Sequence, residues 1–117
     1  MQDFKELGVW QKSHKLSLLV YQATSSFPPS EQFGLTSQIR RSATSIAANI
    51  AEGRGRGTDA DFKHFIPMAI GSSCELECHF ILARDLKLLS GSSFDTLMEN
   101  LTEVRKMLSG LRQRLRS

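Results

Sequence analysis

Apolar residues recur at three- and four-residue steps along most of this chain, in four blocks separated by short breaks. The first block puts Val9, Leu16, Leu19, Val20 and Ala23 on one stripe. Trp10 and Tyr21 flank it, and Lys12, Ser13, Lys15 and Gln22 fall largely on the other side. Phe4 and Leu7 precede it as a short lead-in expected to tuck against the rest. The run S-S-F-P-P-S-E then breaks the pattern. Pro28 and Pro29 cannot continue a helix, and Phe27 is pushed into an extended conformation. Ser30 is the expected N-cap of the second helix.

The second block carries Leu35, Ile39, Ala43, Ile46, Ala47, Ile50 and Ala51, an amphipathic helix by spacing. Ser42, Ala43, Ser45, Ala47, Ala48 and Ala51 are small, so a neighbouring helix is expected to approach closely. Gly53 is expected just past the helix end, and G-R-G-R-G reads as a flexible loop. Thr58 is the expected cap of a third helix, with Asp61 three residues on, in the position of a capping box. Phe62, Phe65, Ile66, Ala69, Ile70, Leu76, Phe80, Ala83 and Leu86 mark its buried side. Pro67 lies inside that pattern and predicts a kink, because proline removes a backbone hydrogen bond and crowds the preceding turn. Gly71, Ser72 and Ser73 come next and form its softest part. After a turn at residues 88–92, with Ser92 as the expected cap, Phe94, Leu97, Met98, Leu101, Val104, Leu108, Leu111 and Leu115 form the cleanest stripe.

No stretch alternates with a two-residue period, so no strand is predicted. Helices are expected over about residues 9–24, 35–52, 59–88 and 93–115. Four amphipathic helices on short turns have one economical packing. The predicted fold is all-α, an antiparallel up-down-up-down four-helix bundle in a single domain over residues 1–117.

Composition adds little to this and removes several classes. A chain of 117 residues with 40% hydrophobic and 23% charged side chains can bury a core without disulfides or metal. No apolar run approaches the roughly 20 residues of a bilayer span, so no membrane is expected. The first residues lack an apolar signal core, which makes the cytoplasm the expected compartment. Cys74 and Cys78 stand four apart, a poor disulfide frame within one helix, and read as free thiols.

Charge is uneven. Residues 101–117 hold Arg105, Lys106, Arg112, Arg114 and Arg116 against Glu103 alone, so most of the formal net charge of +3 is gathered there. Such a tail meets phosphate or an acidic partner, or it complements the dipole of a helix C-terminus.

Candidate chemistry is sparse. The G-R-G-R-G-T stretch precedes a helix, where free amides favour anions, and Arg54 and Arg56 add charge. It lacks the Walker pattern and has no strand before it, so it reads as a connector, with or without phosphate contact. A zinc site from Cys74, Cys78 and His79 lacks the usual spacings and a fourth ligand. His14, His64 and His79 have no evident orienting carboxylate, and no nucleophile elbow surrounds either cysteine. No enzyme, metal or cofactor is therefore expected.

Longer motifs carry a resemblance. They are F-K-E-L-G-V-W-Q-K-S-H-K-L at residues 4–16, F-P-P-S-E-Q-F-G-L-T-S-Q-I-R-R-S-A-T-S-I-A-A-N-I-A-E-G at 27–53, D-F-K-H-F at 61–65, A-I-G-S-S-C-E-L-E at 69–77 and A-R-D-L at 83–86. With these the chain resembles the four-helix-bundle protein family encoded in intervening sequences of bacterial large-subunit ribosomal RNA genes. The resemblance implies a homopentamer with no enzymatic activity. It also implies RNA or DNA as a partner, since a related protein accompanies the reverse transcriptase of diversity-generating retroelements and binds nucleic acid there. Pro67 and Cys74 depart from the family pattern, which usually has an aliphatic residue and a leucine at these places.

The motif positions here are Gln38, Arg40, Arg41, Asn49, Glu52, Gly53 and Arg56. Arg40 and Arg41 are expected either to face phosphate or to form subunit-interface ion pairs with Glu52. Arg54, Arg56, Arg105, Lys106, Arg112, Arg114 and Arg116 are the further basic candidates, and Gln38, Asn49, Glu52 and Gly53 are expected to be structural. The expected function is non-enzymatic nucleic-acid binding by an oligomer. The alternative is an assembly or scaffold protein that contacts a protein partner and binds no nucleic acid.

Overall fold

The computed structural model describes residues 3–115. Its four helices are α1 (Gly8–Thr24), α2 (Leu35–Gly55), α3 (Asp59–Asp85) and α4 (Gly91–Leu115), with 3-10 turns at Phe4–Glu6 and Pro29–Glu31 and no strand among the described residues. The long axis of 44 Å is about the length of α3 alone at ~1.5 Å per residue. Each helix packs on its neighbours in sequence, and α1 closes the ring on α4; the diagonal pairs do not touch.

Contact partners show the helices to be antiparallel, because they climb on one helix as they descend on the next. On α2 and α3, Ser42 meets Glu75 and Ser45 meets Ser72, while Gly53 lies against Phe65. On α1 and α4, Gly8 faces Met107 and Lys12 pairs with Glu103. The core runs the length of the bundle through Leu16, Val20, Ile39, Ile46, Ile50, Ile66, Leu76, Phe80, Leu101, Val104 and Leu108, all fully buried. The lead-in behaves as expected: Phe4 meets Trp10 edge-on and Leu7 packs on the core.

Several boundaries differ from expectation, each for a visible reason. Gly53 is not past the end of α2; it lies inside the helix and is buried, where Phe62 and Phe65 of α3 need the space a side chain would take. α2 is capped by the Glu31 carboxylate, which accepts the Leu35 amide at 3.2 Å, and not by Ser30, which sits in the 3-10 turn. α4 starts at Gly91 because the Ser90 hydroxyl accepts the Ser93 amide, so Ser92 falls in the first turn. Thr58 caps α3 as expected, accepting the Asp61 amide and donating to the Asp61 carboxylate.

α3 ends at Asp85, short of residue 88, in a left-handed turn at Lys87 (φ 64°). The Leu88 amide there reaches back to the Ala83 carbonyl and the Lys87 amide to that of Arg84, a Schellman closure made without glycine. Leu86 is consequently 54% exposed and not part of the core. α3 runs unbroken through Pro67, which faces outward, so the missing hydrogen bond lies on the solvent side.

Ser13, assigned to the polar side of α1 by its spacing, is fully buried. Its hydroxyl donates to the Val9 carbonyl at 2.7 Å, which satisfies it without a partner from another helix. Ser17 and Thr24 do the same toward Ser13 and Val20.

Candidate functional site

The small-residue seam between α2 and α3 is polar as well as close. Ser42 Oγ and Glu75 Oε1 are 2.7 Å apart, and Ser45 and Ser72 hydroxyls 2.9 Å apart. Asn49 Nδ2 donates to Ser45 on its own helix. Asn49 thus supports the seam, and Gly53 lets α3 approach at its end. Glu52 is exposed and pairs with Arg56 at 3.5 Å. Within one chain it lies ~18 Å along α2 from Arg40, twelve residues away. Gln38 is exposed, and its carbonyl accepts the Ser42 hydroxyl.

The basic candidates do not come together. Arg54 lies over the Phe62 ring and Arg56 over that of Phe65, so the expected loop arginines brace the α2–α3 corner. Arg105 is half-buried. It bonds the Ser73 hydroxyl and carbonyl at 3.1 Å and pairs with Glu77 at 2.8 Å, which ties α4 to α3. Lys106 stands in a shallow groove beside Asp95, Glu99 and Glu103, an acidic surround unsuited to phosphate. Arg112 and Arg114 occupy the last turn of α4, where positive charge complements the helix dipole. Arg116 lies outside the described residues.

Arg40 and Arg41 sit differently. They lie on the first turns of α2, at the end of the bundle where α1 finishes. Arg40 Nε donates to Thr24 Oγ1 at 2.9 Å, and its guanidinium covers the Tyr21 ring at 4.4 Å. Both partners are neutral. Arg41 is exposed and forms no hydrogen bond or ion pair among the described residues. The two flank an open groove of about 480 Å³ lined by Tyr21, Gln32, Phe33, Thr36, Ser37, Arg40, Arg41 and Thr44, with no carboxylate among them. Glu31, nearby, is committed to the Leu35 amide. Phe33 is 91% exposed. Thr36 lies in the same groove wall, and its Oγ1 is buried without a partner.

Sequence reasoning found the two arginines but missed Phe33, Thr36 and Ser37. Phe33 and Gly34 sit in a turn, so no helical period could place the ring. Thr36 belongs to the first turn of α2, whose start was obscured by the double proline.

Cys74 and Cys78 are exposed free thiols on the outer face of α3. His79 is half-buried, with Nε2 at 3.6 Å from Glu75 Oε1, too long for a hydrogen bond. Among the described residues no three of the metal-binding side chains gather in one place.

A second surface feature is apolar. α3 has its core side and also an outer face on which Met68, Ile81, Leu82 and Leu86 are 38–54% exposed, with Gly71, Cys74 and Cys78 between them. Apolar on both sides, α3 reaches a mean hydropathy of 1.2 over 18 residues, long and apolar enough by composition to cross a membrane, and a third of that window is buried. In this fold it packs on α2 and α4.

Comparison with known proteins agrees with the fold. Residues 5–110 match the family model described as 23S rRNA-intervening sequence protein. Among solved structures the chain is similar to a protein of unknown function from the S23 ribosomal protein family of Bacteroides thetaiotaomicron VPI-5482. The two are 25% identical, with a TM-score of 0.79 over 89% of this chain and 97% of that one. No protein of curated function matches.

Proposed function

We infer that this chain, which belongs to the 23S rRNA-intervening sequence protein family, is a non-enzymatic, self-assembling bundle that binds nucleic acid. The observation behind the binding is the Arg40–Arg41 groove. Of the basic candidates, Arg56 and Arg105 have carboxylate partners and Lys106 stands among acids. Arg40 has neutral partners and Arg41 has none, in a groove with no acidic lining. Two guanidiniums there suit phosphate oxygens, which accept paired hydrogen bonds from such a fork. A single patch of two charges binds weakly, and repetition around an oligomer multiplies it.

The outer face of α3 supports the assembly. A stripe of Met68, Ile81, Leu82 and Leu86 with small residues between them is a helix face without an intramolecular partner. We propose that it meets other copies of the chain in the homopentamer that the family resemblance implies.

Both parts are open to direct test. Anisotropy of a labelled single-stranded RNA, titrated at rising salt, should show affinity falling by a log–log slope of about −0.7 for each phosphate neutralised. Arg41→Ala should weaken binding while light scattering shows assembly unchanged. An intact oligomer that binds no RNA at low salt removes the nucleic-acid reading. A protein partner that survives nuclease treatment in its place would establish the scaffold alternative.

A further inference from the structure

We propose that the α1–α2 groove is a receptor for the terminal phosphate of a single-stranded nucleic acid, with the end base stacked on Phe33. The proposal rests on the nucleic-acid reading above and narrows it from the backbone in general to one chemical group.

The first observation is the start of α2. A helix leaves its first amides without intrahelical acceptors. Here Glu31 takes the Leu35 amide, and the Gln38 amide reaches the Gly34 carbonyl. The amides of Thr36 and Ser37, between them, have no acceptor among the described residues. They stand at the positive end of a 21-residue helix.

The second observation is independent of the helix end. Thr36 is 92% buried by its 8% relative exposure, and its Oγ1 has no hydrogen-bond partner. Every other buried serine or threonine in the bundle bonds a neighbouring carbonyl. Buried hydroxyls are ordinarily satisfied, so an unpaired one in the wall of a groove marks a place where an acceptor is missing.

The third observation concerns shape. About 480 Å³ lies within the range of pockets that take small organic molecules, ~300–1,000 Å³. Phe33 at 91% exposure offers a bare ring at the rim, and base stacking on such a ring is tolerant of sequence. One Tyr21 face is already covered by Arg40, which leaves Phe33 as the stacking platform.

These features favour an end over the middle of a strand. An internal phosphodiester has two free oxygens and one charge, and both ester links hold it at the surface. A terminal phosphate has three free oxygens and a charge of about −1.5 to −2 at neutral pH. It can enter end-on, giving oxygens to the Thr36 and Ser37 amides, to Thr36 Oγ1 and to the free Arg41 guanidinium. Arg40, fixed by Thr24, contributes charge from the side.

The test compares one 3-prime- or 5-prime-phosphorylated hexanucleotide with its unphosphorylated form, each labelled at the opposite end, by anisotropy on the whole protein. A phosphorylated form should bind ~10-fold tighter or more, the scale of charge-assisted hydrogen bonds. The end that gains identifies which terminus is read. Thr36→Val should erase most of that gain and leave the unphosphorylated affinity in place, while Thr36→Ser keeps it. Valine fills the same space, and loss of an unsatisfied buried hydroxyl should leave the fold at least as stable. Equal binding of all forms overturns the terminal-phosphate site and leaves the general nucleic-acid reading standing. Absence of all binding overturns both. A phosphate preference that survives Thr36→Val and Arg41→Ala places the site elsewhere and overturns the assignment.

Discussion

Replacing Gly53 by alanine should destabilise the protein, against the ordinary sign for a glycine inside a helix. In a helix interior the change from glycine to alanine normally stabilises by about 1 kcal/mol, since alanine has less backbone entropy to lose. At Gly53, however, a Cβ would stand 2.7 Å from Phe65 Cβ and 3.2 Å from Phe62 Cδ1. Carbon atoms prefer about 3.5–4.0 Å. The obstructing Phe65 atom is itself a Cβ, fixed to the backbone of α3, so no rotamer change relieves the overlap and the helices must separate. Overpacking of this kind costs about 1–3 kcal/mol, which leaves a net loss of about 1–2 kcal/mol after the propensity gain. Gly55, two residues on in the last turn of α2, has nothing within 4 Å of its Cβ position. Gly55→Ala should therefore stabilise by about 0.5 kcal/mol. At roughly 4 °C per kcal/mol for a domain of this size, the two variants should melt about 6–10 °C apart by circular dichroism at one protein concentration. A Gly53→Ala protein as stable as the parent would refute the close approach of α2 and α3.

Two further substitutions probe other links. Pro67→Ala restores an amide to the outward side of an otherwise continuous α3, and should raise the urea midpoint by the equivalent of about 1–3 kcal/mol. An unchanged or lower midpoint would show that the proline ring is built into the packing. Arg105→Ala removes the bonds to Ser73 and Glu77 and should cost about 1–2 kcal/mol in the same assay, the partly exposed ion pair being screened. Lys106→Ala, beside it in sequence but exposed, should stay within about 0.5 kcal/mol; equal losses for the two would show that Arg105 acts only through general charge.

The bundle was legible because its information is periodic. The stripes of α2 and α4 name nearly all the buried residues of those helices, and turn residues mark three of the breaks. Where the reading went astray, the deciding group lay on another helix. Gly53 comes after a helical run and before a glycine-arginine loop, so by local signals it ends the helix. The phenylalanines of α3 make it an interior contact. Arg105 counted as one of a basic tail until Ser73 and Glu77 came within bonding distance. Arg54 and Arg56 looked like free loop charges until the Phe62 and Phe65 rings came beneath them.

The candidate site divides in the same way. Arg40 and Arg41 stand out in the sequence as a pair, but a pair of arginines has no direction. The end of α1, the 3-10 turn and the first turn of α2 must meet before the arginines acquire neutral neighbours, an exposed ring and an unpaired hydroxyl. By itself the sequence determined that four amphipathic helices on short turns would bury their apolar stripes in an antiparallel bundle, since spacing and turn chemistry act locally. Only the tertiary structure decided which basic residues hold the bundle together and which stand open in a groove. That distinction depends on distances between helices, and those distances arise from packing rather than from order along the chain.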